Sequence, residues 1–102
     1  PWELSKSFIG AVALGPWQPL QSLDEIAQLE FKLFINGIEK QHGFVADMIF
    51  SFDKLIHYLK NHFPLAPGDA LFTGTPSGVG AVHKGDLLEA EAGNLKTQWK
   101  IG

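Results

Sequence analysis

The sequence predicts an α+β domain that is rich in β-strand and carries one main helix. Three observations lead there: an alternating segment that turns back at Asn36-Gly37, another that turns back at Gly93-Asn94, and one stretch of helical periodicity after Ser51. With 102 residues, 45% of them hydrophobic, the chain has material for one core and at most one domain.

Taken in order, residues 8–14 are small and apolar and are predicted as a buried strand, which Gly15-Pro16, Trp17 and Pro19 end as a rigid turn. Ser22-Leu23-Asp24-Glu25-Ile26 starts a short helix. From Leu29 onward, Leu29, Phe31, Leu33 and Ile35 alternate with Glu30, Lys32 and Phe34, and Asn36-Gly37 supplies the positive φ values of a type I′ turn. Residues 38–44 are the return strand. Ser51 caps a helix, Asp53 suits its first turn, and Phe52, Leu55, Ile56 and Leu59 share one face, with the end near Asn61. Pro64 and Pro67 bracket a connector to a short strand at residues 70–73. Residues 87–92 and 95–101 form a terminal hairpin, the second strand setting Leu95, Thr97, Trp99 and Ile101 against Lys96, Gln98 and Lys100.

Composition narrows the function classes. Net charge is −3, and all eight cationic residues are lysines, so no arginine is present for bidentate grip on phosphate or guanine, and nucleic-acid binding is not expected. The absence of cysteine excludes disulfides and thiolate zinc sites. No apolar run has the length of a bilayer span and no signal peptide opens the chain, so the expected setting is soluble and cytoplasmic. The first residue is Pro1 rather than Met, which suggests the middle of a longer chain.

The run Leu71-Phe72-Thr73-Gly74-Thr75-Pro76-Ser77-Gly78-Val79-Gly80 carries the most chemical information. Gly74, Gly78 and Gly80 allow positive φ and close approach of a ligand, Pro76 stiffens the turn, and two threonine hydroxyls stand beside exposed backbone N–H groups. Such a loop can grip a carboxylate or an enolate; it also serves as a plain connector between strands. It matches neither the P-loop pattern nor the dinucleotide fingerprint. Lys6, between Trp2 and Phe8, is either a solvated lysine or a partly desolvated clamp for a developing oxyanion. His42, His57, His62 and His83 form no i, i+4 pair and are read as surface or packing residues. Asp47 and Asp53 suit a helix start, Asp69 and Asp86 suit turns, and Met48 and Phe50 suit a core.

Several separated motifs resemble, in order, the carboxyl-terminal half of the fumarylacetoacetate hydrolase family: Pro1-Trp2-Glu3-Leu4-Ser5-Lys6-Ser7-Phe8, Asn36-Gly37 with Gln41-His42-Gly43 and Asp47-Met48-Ile49, Pro67-Gly68-Asp69, and Thr73 to Gly80 followed by Gly85-Asp86. The resemblance covers residues 1–102 and is strongest to acylpyruvate and fumarylpyruvate hydrolases, oxaloacetate decarboxylases and hydroxyheptadienedioate isomerases. It implies stacked, rolled sheets, a dimer, a 2-oxo acid substrate and a magnesium, manganese or calcium ion. It also implies that Lys6 lies beside metal and substrate as a catalytic residue, and that Thr75 with the backbone of Gly74 binds the substrate carboxylate.

The family's metal carboxylates and catalytic histidine–glutamate pair belong to the amino-terminal half, so the resemblance implies ion ligands outside this segment and a chain that is inactive alone. Phe44-Val45-Ala46 also departs from the polar, threonine-bearing stretch of relatives. Three functional expectations follow: part of a metal-dependent enzyme that breaks a carbon–carbon bond in a 2-oxo acid, an inactive truncated dimerisation module, or an unrelated small ligand-binding domain.

Overall fold

The computed structural model describes residues 2–102, so Pro1 of the first motif lies outside the described residues. The elements are α1 (Trp2–Lys6), a 3₁₀ turn (Leu23–Ile26), β1 (Glu30–Ile35), β2 (Ile38–Phe44), a second 3₁₀ turn (Val45–Asp47), α2 (Phe52–His62), β3 (Leu87–Ala92) and β4 (Leu95–Lys100). The four strands form one antiparallel sheet in the order β2-β1-β3-β4, with α2 as the main helix, an α+β arrangement. Among the described residues no helix is long and apolar enough to cross a membrane.

Both hairpins follow from local turn chemistry. Asn36 at φ 52° and Gly37 at φ 80° join β1 to β2 with left-handed backbone at both central positions, which asparagine and glycine tolerate best. Asn36 does more than turn the chain. Its amide nitrogen donates to Asp86 Oδ1 at 2.9 Å, its side-chain oxygen accepts from the Leu87 N–H at 2.9 Å, and its backbone N–H donates to the Leu87 carbonyl. The β1–β2 turn is thereby fastened to the start of β3. Asp86 also accepts from the His83 N–H at 2.8 Å. That backbone hydrogen bond, followed by the Asn36 amide, holds the Asp86 carboxyl below its ordinary pKa. Asp69 caps its own turn in the same manner, accepting from the Ala66 N–H at 2.9 Å.

The β1–β2 ladder slips once. Leu33 pairs with Gln41 and Phe34 with Glu39, so Lys40 is the extra residue of a bulge. Ser51 caps α2 by accepting from the Lys54 N–H at 3.3 Å, and Phe52, Leu55, Ile56 and Leu59 are the half-buried face that the periodicity predicts. No apolar side chain among the described residues is fully buried, and Gly43 is the one buried position in the residue-by-residue pattern. The protected material is a half-buried band along β1 and β3 with the inward side chains of β4.

Two predicted strands do not form. Residues 8–14 are irregular: Phe8 to Ala11 make a turn, Gly10 sits at φ 79°, and Ile9 is fully exposed. Apolar content alone does not make a strand; a ladder partner is required, and no strand pairs with this segment, whose Gly15 only approaches a side chain of β4, an added Cβ lying 3.1 Å from Thr97 Cγ2. Residues 70–73 are likewise unpaired, and the chain beyond them is held by a side chain rather than by a neighbouring strand.

Candidate functional site

The glycine loop is seated on the bulged part of β2, and two glycines, Gly43 and Gly78, permit that contact. Gly43 has no Cβ, and one added there would lie 2.7 Å from Phe31 Cζ and 3.2 Å from Pro76 Cγ, so β1, β2 and the loop meet at this point only because it is glycine. Gly78 lies at φ 107°, and an added Cβ would collide with the carbonyl oxygen of Lys40, the bulge residue. Gly74 lies at φ 97° with open space where its Cβ would be, leaving its backbone accessible. Gly80 does not enter the positive-φ region, so its expected left-handed role is absent.

Gln41 then ties the loop down. Its Nε2 donates to Thr75 Oγ1 at 2.8 Å and to the Pro76 carbonyl at 2.9 Å. A cavity of about 700 Å³ opens beside this junction, with Thr73 to Pro76 on one side, Phe31, His42 and Phe44 on the strand side, and Phe52 and Leu55 of α2 across from them. Met48 and Phe50, expected in a core, line the same cavity. At the rim, His42 Nε2 lies 2.6 Å from Glu30 Oε1, and the His42 ring stands 5.1 Å from that of Phe44. The wall is thus mostly apolar, with hydroxyl, imidazole and backbone groups at one edge, a combination suited to orienting a small polar ligand.

Of the residues singled out from the sequence, Gly74 and Thr75 share this cavity and Lys6 does not line it. Lys6 is at the end of α1, its ammonium 4.9 Å from the Trp2 ring centroid. Gln41 has no role in the sequence reading, since nothing local marks it as the partner of a loop 34 positions later. Among the described residues, no three histidine, cysteine, aspartate or glutamate side chains come together as an ion site. On the cavity wall His42 and Asp47 are the side chains of that kind, and His42 is engaged by Glu30. A hard divalent ion needs several oxygen ligands placed together, so the residues present do not fit one.

Residues 1–100 match the family model described as fumarylacetoacetate hydrolase, C-terminal. The chain belongs to the fumarylacetoacetate hydrolase family. Within this family it is similar to the mitochondrial oxaloacetate tautomerase FAHD1 of Rattus norvegicus, 38% identical over 90 residues that make up 88% of this chain and 41% of that protein. Its fold is similar to a crystal structure of a fumarylacetoacetate hydrolase family protein from Yersinia pestis, with a TM-score of 0.91, 35% identity, and coverage of 99% of this chain and 49% of that one. A maleylpyruvate hydrolase from Sphingobium sp. SYK-6, solved with manganese(II) and pyruvate, is 28% identical with a TM-score of 0.72, over 74% of this chain and 29% of that one. The chain therefore spans less than half the length of these fumarylacetoacetate hydrolase family relatives.

Proposed function

We propose that this chain is the anion-binding part of a divalent-metal-dependent hydrolase or lyase that cleaves a carbon–carbon bond in a 2-oxo acid of the acylpyruvate, fumarylpyruvate or oxaloacetate type. One observation carries the reading: Thr75 and the open backbone of Gly74 stand together on a largely apolar cavity wall. The pyruvate in the Sphingobium relative supports the substrate class. In this reading the Thr75 hydroxyl and the Gly74 backbone hold the carboxylate end and the apolar wall excludes water around the remaining carbons. Lys6, which does not line the cavity of this chain, adds positive charge where negative charge develops only once the amino-terminal half completes the pocket. Ligands for magnesium, manganese or calcium are assigned to the part of the relatives' length that this chain does not span, and so is the catalytic acid–base pair. Domain extent, residues 1–102 as the carboxyl-terminal part of a catalytic domain, belongs to the same proposal. So do a homodimeric assembly and a cytoplasmic location, which mass measurement in solution and cell fractionation test; the rat relative is mitochondrial by name.

The tautomerase relative favours a second reading, keto–enol interconversion of a 2-oxo acid without bond cleavage. One experiment separates the two. The chain is joined to the amino-terminal half of its family fold, supplied with magnesium or manganese, and given a panel of 2-oxo acids, while pyruvate release and enol absorbance are followed together. Cleavage predicts stoichiometric pyruvate; tautomerisation predicts enol decay with none. Lys6→Ala is expected to lower turnover by at least about a hundredfold, the scale of losing one oxyanion-stabilising group, and Thr75→Val to weaken substrate binding mainly. Wild-type rates in both variants would remove these residues from the site.

A further inference from the structure

We infer that Gln41 is a positioning residue: its side-chain amide fixes Thr75 as a hydrogen-bond donor toward the cavity and so selects ligands that present an anionic acceptor there. This inference rests on the proposed anion-binding role of Thr75. The orientation of the amide is forced by chemistry. The Pro76 carbonyl oxygen can only accept, so the group 2.9 Å from it must be the NH₂ end of Gln41. The second hydrogen of that NH₂ is then directed at Thr75 Oγ1, 2.8 Å away. A hydroxyl that accepts through a lone pair keeps its own proton for another partner, and Thr75 lines the cavity. Without Gln41 the hydroxyl could turn its proton toward the protein; with the amide occupying one lone pair from that side, the proton stays available to a ligand in the cavity.

The strand geometry makes this clamp specific. The bulge at Lys40 sets Gln41 opposite Leu33 instead of continuing the register of Phe34 with Glu39. The same bulge brings the Lys40 carbonyl against Gly78, where no side chain could fit. Loop and strand are therefore held at two points, the Gly78 backbone and the Gln41 amide, with Thr75 between the clamp and the cavity.

Gln41→Glu tests the inference, because a carboxylate of the same shape accepts hydrogen bonds where the amide donates. The Thr75 proton would turn inward to it, and a lone pair would face the ligand. The protein is the chain joined to the amino-terminal half of its family fold and loaded with manganese; the probe is pyruvate, titrated by calorimetry. Gln41→Glu is expected to weaken pyruvate binding about tenfold or more, the scale of a hydrogen bond to a charged group. Combining it with Thr75→Val should add nothing to the loss from Thr75→Val alone. The deficit relative to wild type should shrink as pH falls toward about 4, where a glutamate gains a proton and donates again. Gln41→Met, which keeps the length and lacks both donors, should bind weakly with no recovery in acid, and it stands in should Gln41→Glu fail to fold. Wild-type affinity in Gln41→Met or Gln41→Glu, beside a large loss in Thr75→Val, overturns the clamp and leaves the proposed function standing. Wild-type affinity in Thr75→Val, or no pyruvate binding by the unsubstituted protein, overturns both.

Discussion

The four-stranded sheet and the irregular stretches at residues 8–20 and 69–83 both carry apolar runs, yet only the sheet closes its own hydrogen-bonding ladder. In the sheet, alternation and turn residues sit within a few positions of each other, so each hairpin is specified by its own sequence. In the irregular stretches, apolar residues such as Phe72 and Ile9 stand 69% and 103% exposed. Hydrophobicity marks where burial is favourable, but only a paired neighbour makes a strand. Gly43 marks one place where the two regions meet, beside the contacts at Gly78 and Gln41.

The largest effect should come from breaking that contact. Valine suits a strand by propensity, but at position 43 its Cβ would stand 2.7 Å from Phe31 Cζ and 3.2 Å from Pro76 Cγ. Gly43→Val should destabilise the chain by about 1–3 kcal/mol through overpacking. It should also release residues 73–80 to proteolysis, read by a lowered denaturant midpoint and by cleavage mapping. An unchanged midpoint with an uncut loop would mean that sheet and loop are not in contact, and the contrast would lose its junction.

Next in size is the tie between the first hairpin and β3. Asn36→Ala places alanine at φ 52° and removes hydrogen bonds to Asp86 and Leu87, and should cost about 1–3 kcal/mol, the net worth of two exposed hydrogen bonds with the strain of a left-handed alanine. Asn36→Gly keeps the backbone conformation while losing the same bonds, so the difference between the two variants isolates the turn. The Asp86 carboxyl, held below its ordinary pKa chiefly by the His83 N–H and then by Asn36, adds a pH signature. Its folded value is lower than its unfolded one, so its contribution is present above about pH 4 and is lost as pH falls through the folded value. Asn36→Ala removes one of those causes, and the midpoint should then fall less steeply as pH drops below about 4. An unaltered acid slope would separate Asp86 from the hairpin.

This division explains what could be read in advance. Asn36-Gly37, Gly93 and Ser51 announced their elements because each acts on its own backbone, and β1 to β4 and α2 appear within a residue or two of expectation. The irregular fate of residues 8–14 and 70–73 was illegible, since their apolar content resembles that of a buried strand and the missing quantity is a neighbour. At the site, glycine spacing and hydroxyl chemistry marked the loop as a whole, the resemblance singled out Gly74 and Thr75 within it, and both line the cavity. Gln41 was not, because a glutamine on an alternating strand gives no sign that a residue 34 positions later will receive its amide. Lys6 was singled out by its aromatic neighbours, and one of them, Trp2, is what its ammonium faces.

The smallest effect tests the irregular region itself. Ile9→Ser and Phe72→Ser each remove an apolar side chain that has little to bury against in the chain alone, so each should change its stability by less than about 0.5 kcal/mol. In the chain joined to the amino-terminal half of the family fold, the same substitutions act on a surface that the added half is free to cover. If that half packs there, each loss should grow to about 1–3 kcal/mol, the scale of burying such a side chain. The informative quantity is the difference between the two backgrounds, measured from denaturant midpoints. A large loss already present in the chain alone would show that these residues are packed within it, and the distinction between a self-sufficient sheet and neighbour-dependent stretches would fail. A small loss in both backgrounds would mean that the added half covers some other face, leaving the apolar residues of the irregular stretches unexplained by assembly.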